Sequence, residues 1–360
     1  MKKLSIVFFA FLVSFSFAQE TKVVVTNLPP KTDDAVYPFV SIPTNKKAAD
    51  KINLYLQVSD LENIPNTRKD PFQLVGSGTT SYSNFVYFYE WKKLAAPKNI
   101  LSIYFSGEAS GAYPENFEEW KNFDIRTGNY INMLDLIKRS SVKNVESIMR
   151  SSIRNEIIAY IKDLKSETQD ETTNEQIELY EECLGSIDYR GIDYVDYYIE
   201  KNQLVLISGR CSNHARRGID DLDSYEIKIP LEKLAPHLTD YAKNLLSGSQ
   251  TAVTQPNLQH RIYKGMIDGK YPITLMVNQI FDDNSMSITY WYDAHKKLIE
   301  WRGTYENHRF TLVEDDYHDD ENARWIPKAN IILDEKGVNL VGTWEDYKTK
   351  KKLKIELQPY

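Results

Sequence analysis

Cys183 and Cys211 are the chain's two cysteines and lie 28 residues apart. In an oxidising compartment an isolated pair of this kind closes a disulfide. Loop-closure entropy then contributes roughly 3–4 kcal/mol. Two other chemistries stay open. His214 follows Cys211 by three residues, so a base-activated thiolate is one; a pair of free, buried thiols is the other. Arg210, Arg216 and Arg217 surround Cys211 and form a basic spot able to dock a carboxylate or phosphate ligand, or to close internal salt bridges. Two acidic runs, Glu314–Glu321 and Asp220–Asp223, carry the hard oxygens that calcium prefers. Neither has the alternating ligand positions or turn glycine of a calcium loop. Both are expected to be solvated loops.

The stronger catalytic signatures are missing. Gly107-Glu-Ala-Ser110-Gly111 has the wrong spacing for a nucleophile elbow, Gly76-Ser-Gly78 is too short for a phosphate loop, and the six histidines are scattered. Paired carboxylates can hydrolyse glycosides only when placed roughly 5–10 Å apart, which a sequence does not reveal. Aromatic side chains able to stack on sugars fall on strand faces near the C-terminus: Tyr290 and Tyr292 share one face with Met286 and Ile288, Trp291 lies on the other, and Trp301 and Tyr305 share a face of the next strand with Gly303. Such faces equally form a core. No catalytic residue, cofactor site or metal site is assigned. A formal net charge of −7 makes the chain a poor candidate for nonspecific nucleic-acid binding.

Residues 1–18 read as a secretory signal: Lys2 and Lys3, an apolar run from Leu4 to Phe17, then Ser16-Phe17-Ala18 as a cleavage site. Cleavage near Ala18 is expected to release a periplasmic or extracellular protein without stable membrane insertion. The apolar run is shorter than a spanning helix requires.

The elements that would position these residues follow from periodicity. Residues 19–36 form a flexible lead-in. Helical spacing covers Lys46–Val58, Val142–Leu164 and about Asn174–Leu184, the last ending at Gly185. Strands are expected at 82–91, 100–106, up to Ile125, in two pieces between Tyr194 and Ser208, and at Tyr225–Ile229. A closing helix carries Leu231, Leu234, Leu238, Tyr241 and Leu245. Residues 248–257, rich in Ser, Gly, Gln, Thr and Pro, form a linker. From 258 to 360 the period becomes two, giving eight strands in sequential hairpins. The fold class is an α+β module (37–247) followed by an all-β antiparallel meander, either an eight-stranded barrel or a sandwich.

The module carries a resemblance. Gly111-Ala112-Tyr113-Pro114, Asn122-Phe123-Asp124, Thr127-Gly128 and Leu134-Asp135-Leu136 occur in order, followed by Tyr197-Tyr198-Ile199, Leu204-Val205-Leu206 and Ile229-Pro230-Leu231. This stretch resembles the extracellular domain of RsiV-type anti-sigma factors, domain-of-unknown-function family 3298. Tyr37-Pro38 through the Ile52 helix is similar to the segment that usually precedes it. The resemblance implies an envelope module that binds rather than catalyses. It also implies a glycan or lysozyme-like partner, since RsiV-type domains sense lysozyme and deacetylase relatives point to peptidoglycan. Tyr113, Glu115 and Asn116, with the three arginines, are the possible ligand surface. The leading expectation is an exported, non-enzymatic envelope-binding protein. The alternatives are a small-ligand-binding barrel and a cell-wall hydrolase with an unrecognised carboxylate site.

Overall fold

The computed structural model describes residues 22–29, 36–73, 85–110, 114–166, 170–319 and 324–360. The expected signal sequence and Tyr113 lie outside them.

β1 (Val24–Asn27) pairs antiparallel with β2 (Pro38–Ser41), so part of the expected flexible lead-in is a strand. α1 (Lys46–Leu61) follows, capped by the Asn45 side chain, which accepts from the Ala48 amide. It buries Ile52, Tyr55, Leu56 and Val58 against an antiparallel sheet of β3 (Phe85–Lys93), β4 (Ile100–Ser110), β5 (Pro114–Asp124) and β6 (Asn129–Tyr130). The Thr127-Gly128 turn between β5 and β6 lies on α1. Gly128 has φ +73°, and a Cβ there would stand 2.5 Å from the Ala48 carbonyl oxygen, so only glycine allows this approach.

α2 (Met133–Leu136) leads to α3 (Val142–Leu164) and α4 (Glu171–Ser186). Val145, Met149, Ile153, Ile157 and Ile161 recur at helical spacing on α3 and all face the core. α4 continues past Gly185, its expected end, to Ser186, where Ile187–Tyr189 tightens into a 3₁₀ turn. β7 (Asp196–Glu200), β8 (Gln203–Ser208) and β9 (Tyr225–Pro230) form a second antiparallel sheet on these helices. The single closing helix expected after β9 is two short ones, α5 (Leu231–Leu234) and α6 (Asp240–Leu246). Pro236 cannot donate to a continuing helix, and Thr239 starts the second by accepting from the Ala242 amide.

The remaining strands are β10 (Ile262–Ile267), β11 (Tyr271–Ile280), β12 (Ser285–Tyr292), β13 (Ile299–Glu306), β14 (Arg309–Asp319), β15 (Arg324–Lys336), β16 (Asn339–Asp346) and β17 (Lys352–Pro359). They form a closed up-and-down barrel, β10 pairing with both β11 and β17. The barrel-or-sandwich alternative is thereby settled in favour of the barrel. Its interior is packed with side chains, among them Leu275, Ile288, Tyr290, Trp301, Phe310, Ile331 and Ile355. Gly303 lets β13 and β14 close up: a Cβ would fall 2.0 Å from the Thr311 carbonyl oxygen.

Barrel and module share a core. Ile262, Met276 and Trp291, on the barrel's outer wall, are buried in the cluster built on α1 and the first sheet. Among the described residues no helix is long and apolar enough to cross a membrane.

Candidate functional site

The resemblance-bearing residues hold the module together. Asn122 donates to the Tyr197 carbonyl at 2.7 Å and accepts from Ser102 at 2.6 Å, fastening β5 to β7. Asp124, fully buried, takes a two-pronged contact from Arg126 at 2.9 and 2.7 Å and the Tyr241 hydroxyl at 3.2 Å. Asp135 is buried at the module–barrel junction. It accepts from the amides of Asn132 (2.9 Å) and Asn257 (3.1 Å), from Gln255 (3.2 Å) and from Arg261 (3.4 Å). Burial raises its pKa to about 6, against the pull of Arg261 and the amides. Gln255, within the expected linker, is itself buried and donates to the Tyr130 carbonyl.

Cys183 and Cys211 form the disulfide, with Cα atoms 5.5 Å apart. It joins α4 to the segment after β8. The basic spot beside it is largely occupied. Arg210 pairs with Glu115, and Arg216 pairs with Glu182 at 2.6 Å. Arg217 and His214 lie near enough to Glu115 to help Arg210 hold that carboxyl below its usual range. Glu115, Arg210 and Arg217 are therefore one cluster, with Asn116 exposed next to it, while Arg216 turns to Glu182 on α4.

Asp220–Asp223 is the loop expected, with Asp221 and Asp223 exposed but Asp220 buried, whereas most of Glu314–Glu321 is strand rather than loop. Asp220 is buried, accepting from the Tyr180 hydroxyl and the Ser212 amide at 2.8 Å each, while Asp221 accepts from Tyr160 and Gln176. Most of the second run belongs to β14. Phe310, Leu312 and Glu314 alternate inward on it. Glu314, 1% exposed, accepts from Tyr290 (2.8 Å), Trp301 (3.0 Å), Trp344 (3.1 Å) and Lys328 inside the barrel mouth. Burial alone would raise this carboxyl; the four donors hold it below its ordinary value. Tyr290 and Trp301, considered for sugar stacking, are consumed here as core.

The aromatic surface lies in the module instead. Tyr104 on β4 and Trp120 on β5 are direct cross-strand partners, their rings 5.1 Å apart. Tyr198 on β7 stacks on Trp120, nearly parallel, at 6.4 Å. All three are half-buried and form one row of rings. Trp120 stands at the edge of a cleft between module and barrel. Two adjoining hollows of about 210 and 320 Å³ make up this cleft, sharing Asp193, Gln259, Ile280, Phe281 and Asp282. Tyr194 (65% exposed) and Phe281 (47%) add two open rings from opposite walls. Asp196 is held up to about 6, by burial first and then by Glu119. Asp193 is also raised, by desolvation first and then by Asp282 and Glu146. His260 contacts the Tyr55 hydroxyl at 3.1 Å, and burial, then Lys121, lowers it to about 4, so it is neutral at pH 7. At the other end Asn257 lines the cleft with an Nδ2 that has no partner among the described residues.

Rings with parallel-capable faces, carboxyl acceptors and an amide donor suit a polyhydroxylated or N-acetylated ligand. The sequence names every one of these residues. What it lacks is the register that sets Tyr104 opposite Trp120 and the docking that lays β7 beside β5.

No protein-family model matches the chain, and no curated protein matches it. The solved structures it is similar to include two DUF3298 family proteins. One is from Pseudomonas aeruginosa PAO1, at 11% identity and a TM-score of 0.39, covering 62% of this chain and 95% of that one. The other, from Bacteroides fragilis, has 13% identity and a TM-score of 0.36, covering 63% and 94%. These neighbours bear the family name that the module's motifs resemble.

Proposed function

We propose that this chain is a non-enzymatic binding protein of the bacterial envelope, and that its module–barrel cleft holds a wall glycan. The observation that carries this reading is the ring row Tyr104–Trp120–Tyr198 running to a cleft lined with carboxyls and further open rings. The deacetylase relatives of the module that the chain resembles support the same ligand class. Sugar faces stack on the rings, and hydroxyl groups donate to Asp193, Asp196 and Asp282. Export through the N-terminal signal belongs to the same proposal.

Titration of the protein with N-acetylglucosamine oligomers tests it. Trp120→Ala is expected to weaken binding at least tenfold, about 1.4 kcal/mol, with the melting temperature nearly unchanged. Equal binding by this variant defeats the reading, and release of reducing ends from peptidoglycan would make the chain a hydrolase. The carboxyls and the net charge of −7 also favour a second partner, a basic lysozyme-like protein. Specific recognition would survive about 0.5 M salt, where the Debye length is only about 4–5 Å. Mere charge attraction would not.

A further inference from the structure

A larger cavity, about 730 Å³, opens where α1 meets the barrel wall. Its apolar side is made by Leu28, Phe39, Leu54, Ile64 and the edge of Trp291. Its charge is lopsided. Of the two aspartates that line it, Asp50 is paired with Lys46 at 2.6 Å and Asp293 accepts from Thr274 at 2.7 Å. Arg68, Lys264 and Lys296 line the same cavity, and among the described residues none has a carboxylate within ion-pair distance. Lys264 is held over the Tyr360 ring, 4.1 Å from its centre. Behind it Lys51 is buried with its amine on the Tyr360 carbonyl. Burial, then Arg261 and Lys47, lowers Lys51 to about 7. The volume is that of a drug-sized ligand.

We propose that this cavity binds an amphiphilic anion. The apolar body lies on Phe39, Ile64 and Trp291, and a carboxylate or phosphate head meets Arg68, Lys264 and Lys296. The site is separate from the glycan cleft and stands on its own observations.

Isothermal titration of the full chain tests it, below micellar concentrations, with dodecyl phosphate, dodecanoate, dodecyltrimethylammonium and inorganic phosphate. Both anionic amphiphiles are expected to bind, and the tighter of the two identifies the head. Inorganic phosphate should bind at least a hundredfold more weakly, and the cationic amphiphile should give no saturable heat. Lys264→Gln and Lys296→Gln should each weaken binding about fivefold, and the double variant at least twentyfold. All three should melt with the wild type, while Trp120→Ala should bind these amphiphiles normally. The proposal is overturned if the cationic amphiphile binds equally well, if the folded double variant binds like wild type, or if neither anion binds at 1 mM.

Discussion

Single carboxyls in this protein are tuned in opposite directions, and pH separates them. An aspartate in the unfolded chain titrates near 4, whereas burial raises Asp135 and Asp196 to about 6. The fold therefore favours their protonated forms. The stability they contribute is complete below about pH 4 and is lost as pH rises through about 6. Asp196→Asn is expected to melt a few degrees above wild type at pH 7.5 and level with it at pH 3.5. Equal shifts at both pH values would contradict a charge-based origin. Glu314 is the reverse case, held ionised by four donors. Glu314→Gln keeps the shape but strands Lys328 and one or more ring donors. Its expected cost is about 2–4 kcal/mol in urea unfolding, and an unchanged midpoint would mean that water replaces the carboxylate freely. The inward alternation Phe310, Leu312, Glu314 is visible in the sequence; the acidic run that follows Glu314 hides it.

At the scale of elements, periodicity was the readable quantity. The barrel strands and α3 stand where their two- and 3.6-residue patterns put them. Departures occur where a local signal competes. Pro236 splits the closing helix, and Gly185 is carried through α4 because its helix flows directly into a 3₁₀ turn. The candidate site was barely legible, because cross-strand register and sheet-to-sheet docking bring its rings together, and neither leaves a spacing in the chain. The disulfide, by contrast, needed only two cysteines and a compartment. Cys183→Ser should lower stability by roughly 3–4 kcal/mol. Wild type that melts identically with and without reductant would show that the bridge contributes nothing. Gly128→Ala should likewise destabilise, since its Cβ would meet the α1 backbone at a positive φ.

The molecule as a whole is built around a core that neither part owns. Ile262, Met276 and Trp291 belong to barrel strands but are buried against α1 and the first sheet. Asp135 is clasped by Gln255, Asn257 and Arg261 across the same junction. A fragment of residues 258–360 should therefore bind more hydrophobic dye than the intact protein does. No gain in dye fluorescence would indicate that the barrel's outer wall is self-sufficient.

Barrel closure also sets a clock. Tyr263 pairs with Pro359, and Lys51 reaches the carbonyl of Tyr360. During synthesis at about 5–20 residues per second, β10 waits roughly 5–20 s for its last partner. Throughout that interval the nascent chain holds an unpaired strand edge and an unsealed seam beside α1. Longer loops add little to the closing entropy, so the cost of this design falls on time and on the helpers that must guard an unfinished barrel.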